Sequence, residues 1–292
     1  MCSSDLAAKF AHVDYGGVRR WTRAPAAGGP LLETAASRRW AWALLGCCAV
    51  LVIALGALFA HQTTADGFDR VLDDPVINSL GRNRTLAGWM SWPGTQIPAL
   101  VISLAMALAC VRSRRLTGAV LALAAVFIAT RLDDALLKTL FDRTYLGALS
   151  YPSGHTSSVV ALCCTYAVLF VLPLPGPGVA GPGAAGPGVA GPGFAGSGAA
   201  GSGRGRRWRL AGLWALLALV VSTVLGVIGL RWHYFTDTVA GAAVAVATVC
   251  ALCLLLDAVA GVCGGAGAGV RSGAGSGVRS GFSRRPSARR GP

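Results

Sequence analysis

Pro152-Ser153-Gly154-His155 stands directly before a long apolar run and joins a helix start to a titratable side chain. Proline, serine and glycine ahead of a helix leave its first N–H groups unpaired and facing outward, and such an end attracts an anion. Glycine lets the anion approach the backbone, and His155 beside it can donate a proton. A second group, Arg231-Trp232-His233-Tyr234-Phe235-Thr236-Asp237, sets a histidine and a carboxylate four residues apart. If the following helix starts early, both share one face. Asp237 can then orient the His233 imidazole and leave its far nitrogen as nucleophile or proton acceptor. A third group, Leu137-Lys138-Thr139-Leu140-Phe141-Asp142-Arg143, offers a point charge and a forked cation suited to phosphate oxygens. Taken singly, each group also fits a plainer role. The first suits a capped helix with an interfacial histidine, the second a surface ion pair worth roughly 0.5 kcal/mol, the third basic anchors flanking a span.

The elements that must position these groups are apolar helices. Hydrophobic residues make up 54% of the 292-residue chain and charged residues 13%, with a mean hydropathy of +0.59. That charge is too sparse to cover a soluble surface, and the apolar residues come in blocks. Six blocks read as spans: Trp40–Ala60, Ile97–Val111, Leu116–Thr130, Thr156–Leu174, Leu210–Leu230 and Thr238–Leu256. The blocks lack the alternation of barrel strands, so the expected fold is all-α, a six-transmembrane-helix bundle. Of the 26 Lys and Arg, 19 fall on one side of the spans when the N-terminus is placed inside. Both termini are therefore expected in the cytoplasm, with the three chemical groups together on the extracytoplasmic side. The first apolar run is too long for a signal peptide and reads as a retained span.

Residues 1–39 are expected to form a disordered cytoplasmic tail, 40–257 the membrane domain, and 258–292 a disordered basic tail near anionic lipid. Residues 176–207 read as a flexible linker inserted between spans four and five. The repeat Gly176-Pro177-Gly178-Val179-Ala180 within it has a period of five, which excludes the glycine-every-third pattern of collagen. The formal charge of +14 is concentrated around spans and tails without interleaved aromatics, so no nucleic-acid partner is expected. Seven of the nine cysteines lie in apolar blocks and behave as small hydrophobes; Cys250 and Cys253 have zinc-ligand spacing but no accompanying ligands, so no metal is expected.

In order, Lys138 with Arg143, then Pro152-Ser153-Gly154-His155, then His233 with Asp237, resemble the signature of the type 2 phosphatidic acid phosphatase superfamily. These are membrane lipid phosphatases related in fold to haloperoxidases. The resemblance covers the region from Trp40 to Leu256. It implies two-step phosphoryl transfer without metal or other cofactor: His233 attacks phosphorus, Asp237 holds its imidazole, and His155 protonates the leaving oxygen. Lys138, Arg143, Ser153 and the Gly154 N–H would neutralise the phosphate oxygens. The sequence departs from the family pattern in two places. Tyr145 and Leu146 stand where an Arg-Pro pair is expected, and Val227 where a second arginine is expected, leaving Arg143 and Arg231 as the nearest basic substitutes.

The expected substrate is thus a lipid phosphate in the membrane, either a polyprenyl diphosphate, phosphatidic acid or phosphatidylglycerol phosphate. A site facing away from the cytoplasm of a bacterial plasma membrane favours the polyprenyl carrier. A phosphatase-like protein that binds lipid phosphate without turning it over is the alternative that Val227 leaves open. A transporter is disfavoured because no span carries an ionisable residue near its middle.

Overall fold

The computed structural model describes residues 31, 32, 34–172 and 198–272. The expected tail up to residue 30, the repeat segment 173–197 and the tail beyond residue 272 lie outside the described residues. Helix α1 (Ala35–Phe59) opens on a capping box: Ser37 N donates to Thr34 Oγ1 at 3.0 Å, and Thr34 N donates to Ser37 Oγ at 3.2 Å. The helix therefore takes in Arg38 and Arg39, which the sequence reading left in the tail. After it come α2 (Gly67–Leu80), capped by Asp66, and α3 (Arg84–Ser91), capped by Asn83. A single 3₁₀ turn at Trp92–Gly94 leads into α4 (Gln96–Arg112). Helix α5 (Leu116–Leu132) passes through a π-helical turn, Asp133–Leu137, into the one-turn α6 (Lys138–Phe141). A short hairpin of β1 (Thr144–Tyr145) and β2 (Ala148–Leu149) precedes α7 (Gly154–Tyr166), which ends in a second π turn. Helices α8 (Gly198–Gly229) and α9 (Phe235–Ser272) complete the described residues.

Among the described residues, five stretches are long and apolar enough to cross a membrane: Ala35–Phe59, Arg84–Arg112, Gly154–Val171, Gly205–Gly229 and Phe235–Gly261. Helix α5, the third block of the sequence reading, has 17 residues and runs on into the π turn. Two boundaries differ from expectation for one reason. Helix α8 begins inside the segment read as linker, and α9 continues into the segment read as tail. Neither extension contains proline, and adding a residue to an existing helix is far easier than nucleating one. The hairpin is the departure from an all-α chain. Its two-residue loop puts Leu146 at φ 50° and Gly147 at φ 84°, and with both angles positive the turn follows the twist of paired strands.

Alanines fill much of the bundle core, and many large apolar side chains face outward. Ala107, Ala122, Ala125, Ala129, Ala161 and Ala245 are within the core, whereas Leu100, Leu108, Phe127, Trp214 and Val221 are exposed on the outside. This inversion suits helices whose backbones approach closely while lipid covers the outer face. Helix α9 is central and packs against α1, α5 and α7. At Gly241 a Cβ would collide with the Ser153 carbonyl and lie 3.0 Å from Ser157 Oγ, so glycine there lets α9 press against the start of α7. At the opposite end, Asp257 accepts from the backbone N–H groups of Leu31 and Leu32 at 2.7 and 2.9 Å. The start of α1 and the far part of α9 therefore meet at the end of the bundle away from Ser153.

Candidate active site

Ser153 caps α7. Its buried hydroxyl accepts from the Thr156 N–H and, at 3.1 Å, from Thr156 Oγ1, while its own N–H donates to the Asp237 carbonyl at 3.0 Å. The expected phosphate ligand is thus first a structural cap. Gly154 is the first residue of the helix, and the space beside its Cα is open except for Asp134 Oδ1, 3.7 Å from where a Cβ would be. His155 follows, its ring 6.1 Å from that of His233 and 5.4 Å from Trp232, centroid to centroid. Lys138 on α6 pairs with Asp134 at 2.7 Å. The charge of Lys138 reaches both histidines. Lys138, Gly154, His155 and His233 are therefore brought to one place.

His233 lies in the loop between α8 and α9 and is buried. Its Nδ1 is 2.8 Å from the Ser150 carbonyl. A carbonyl only accepts, so Nδ1 carries the proton and Nε2 keeps its lone pair. Burial, then the charges of His155 and Lys138, push its pKa down to about 3 against the smaller opposing effect of the Ser150 bond. His233 is accordingly neutral at physiological pH, the form a nucleophilic imidazole requires.

Two expected roles do not match the observed contacts. Asp237 does not hold the His233 imidazole: Asp237 Oδ1 accepts from Arg143 Nη1 at 2.6 Å and Oδ2 from the Tyr234 N–H at 3.0 Å. The four-residue spacing fails because His233 precedes the helix, which starts only at Phe235, so the two do not share a helical face. Arg143 does not offer its fork to a phosphate. Its side chain is inaccessible, with Nη2 on Asp69 Oδ2 at 2.6 Å and Nη1 on Asp237 and, at 2.7 Å, on Thr236 Oγ1. The guanidinium lies 4.5 Å from the Phe59 ring centroid and 4.3 Å from that of Tyr234. Arg231 is exposed at φ 61°, and its side chain forms no hydrogen bond or ion pair among the described residues. Val227, at the second departure from the family pattern, is buried in helix packing. Tyr145, at the first, meets Tyr234 edge to face, with ring centroids 4.3 Å apart.

Sequence reasoning missed Asp69, Asp134 and the Ser150 carbonyl. Asp69 sits on α2 and is fully buried, accepting from the Thr236 N–H at 3.0 Å as well as from Arg143. The signal available was a cluster of Asp66, Asp69, Asp73 and Asp74 between the first two apolar blocks, ambiguous without its partner. Asp73, one turn on, is also buried; desolvation and the neighbouring Asp69 push its pKa up to about 7. The backbone links this hub to His233. Ser150 N donates to the Arg143 carbonyl at 2.9 Å, and the carbonyl of Ser150 receives the His233 Nδ1 proton. Arg143, held by Asp69 and Asp237, thereby positions the loop that orients His233.

Fold and site together define a helical multi-pass membrane protein with a histidine pair, a lysine and a helix start gathered at one end of its bundle. Comparison of the chain with protein-family models, curated proteins and solved structures finds no match.

Proposed function

We propose that the protein is an integral membrane lipid phosphatase acting through a phosphohistidine. The observation that carries this reading is the neutral, buried His233, its Nδ1 anchored on Ser150 and its ring 6.1 Å from His155. In the first step His233 Nε2 attacks phosphorus. A P–N bond forms as the P–O bond to the lipid breaks, and a proton from His155 goes to the leaving oxygen. In the second step water attacks phosphorus while His155 takes its proton, the P–N bond breaks, and inorganic phosphate departs. Lys138 and the N–H groups at the start of α7 neutralise the oxygens during both transfers. Arg143 and Asp237 act as positioning residues behind the site.

The substrate in this reading is a polyprenyl diphosphate, phosphatidic acid or phosphatidylglycerol phosphate, its tail in the bilayer and its phosphate at the surface. We assign six spans in a bacterial plasma membrane, counting α5 with its continuation as the third. Both termini are cytoplasmic and the site is outside, an orientation supported by the excess of basic residues at the Asp257 end. The test is phosphate release from a panel of the three lipids by detergent-purified protein, with His233→Ala alongside. Release should fall by on the order of 10³-fold or more in the variant and should survive EDTA. Near wild-type release by His233→Ala would remove the nucleophile assignment.

One observation favours a second reading, a protein that binds lipid phosphate without turnover. Arg143 is committed to Asp69 and Asp237, and Val227 is buried, so fewer cations face the phosphate than the family signature provides. Binding of the lipids by folded protein, with no release and no phosphate on His233, would establish that reading.

A further inference from the structure

The Asp134 carboxylate is paired with the lysine that the proposed mechanism assigns to the phosphate oxygens. It is held at 2.7 Å by Lys138 Nζ, a hydrogen bond as well as an ion pair. The same Oδ1 lies 3.7 Å from the Cβ position of Gly154, the first residue of α7. Its charge reaches the His155 ring, as does that of Lys138. An anion resting on the lysine and beside the open glycine at a helix start is the arrangement a bound phosphate would take. Asp134 supplies it from within the chain. Its side chain is 46% exposed and that of Lys138 19%, so the carboxylate stands on the solvent side of the lysine. It sits on a π-helical turn, Asp133–Leu137, where the extra residue per turn alters the direction of side chains relative to a regular helix.

We propose that Asp134 is a built-in competitor for the phosphate site, which lowers the affinity for free inorganic phosphate and so speeds product release. The inference rests on the reading of Lys138, Gly154 and the two histidines as a phosphate site. An incoming phosphate must displace the carboxylate from Lys138 or bind beside it against like-charge repulsion. A lipid substrate meets that cost with the binding of its tail and headgroup, whereas inorganic phosphate has no such additional contact. Asp134 therefore discriminates between substrate and product that share one chemical group. A positioning role, in which Asp134 merely holds Lys138 in place for the phosphate, predicts the opposite sign.

The experiment titrates inorganic phosphate into the detergent-solubilised full chain and follows ³¹P line broadening, comparing wild type with Asp134→Asn, Lys138→Met and the double variant. Removing one negative charge about 4 Å from the bound anion should tighten phosphate binding about tenfold in Asp134→Asn. The gain should disappear in the double variant, and phosphate should inhibit lipid turnover more strongly in Asp134→Asn. Equal or weaker binding by Asp134→Asn, with wild-type binding that still depends on Lys138, would overturn the competitor role while leaving the phosphate site standing. Binding unaffected by either substitution would overturn the phosphate site and the inference together.

Discussion

Replacing Arg143 by methionine separates the two roles its position allows. The observed guanidinium bridges Asp69 and Asp237, both inaccessible to solvent, and lies against the rings of Phe59 and Tyr234. Methionine fills much of the same volume but removes the charge, leaving two buried carboxylates without their cation. Removing one partner of a buried pair costs about 3–5 kcal/mol, because the remaining charge stays desolvated. Asp69 retains the Thr236 N–H and Asp237 the Tyr234 N–H, which favours the lower part of that range. At about 2–4 °C per kcal/mol for a chain of this size, the thermal midpoint should fall by about 6–12 °C. The assay is thermal unfolding in detergent followed by tryptophan fluorescence, run beside lipid phosphate turnover. Adding Asp69→Asn and Asp237→Asn to Arg143→Met should recover a large part of the lost stability, since the orphaned charges then disappear. An Arg143→Met protein with unchanged thermal midpoint but weakened substrate binding would refute this account and return Arg143 to the phosphate.

Asp73→Asn should stabilise the protein on the order of 2 kcal/mol at pH 8 and have little effect at pH 3. The folded pKa of Asp73 is pushed up to about 7 against an ordinary 3.8, so the folded state binds more protons between those values and loses that advantage as pH rises; equal shifts at both pH values would refute it. His233 acts with the opposite sign. Its folded pKa of about 3 lies below the ordinary 6.5, so its neutral burial supports the fold above pH 6.5 and that support is lost as pH falls toward 3. Acid unfolding should consequently retreat to lower pH in His233→Gln, and an unchanged acid midpoint would count against the burial of a neutral ring. Gly241→Ala should cost about 1–3 kcal/mol through overpacking against Ser153, with turnover falling as the start of α7 is pushed aside. Full activity and stability in that variant would refute the close contact.

The apolar blocks alone made a helical membrane bundle legible, because a hydrophobic run of sufficient length has few alternatives to a membrane-crossing helix. The gathering of Lys138, Gly154, His155 and His233 was also legible, since alternating spans return successive loops to the same end. The roles of Arg143 and Asp237 were not. Both were assigned from residue type and local spacing, yet Arg143 is paired with Asp69, 74 positions away, and with Asp237, 94 away. A cation at a span edge looks the same in sequence whether it faces solvent or is sealed between two carboxylates and two rings. Nor does residue type reveal the group that orients His233, because it is a backbone carbonyl, that of Ser150, which every residue possesses. Asp134 lay in plain view four residues before Lys138, but only the fold sets it beside Gly154. Sequence by itself determined which candidate side chains reach one end of the bundle. Tertiary structure decided which of them remain free to meet a ligand and which are spent holding the others, because buried charges must find partners and those partners come from distant parts of the chain.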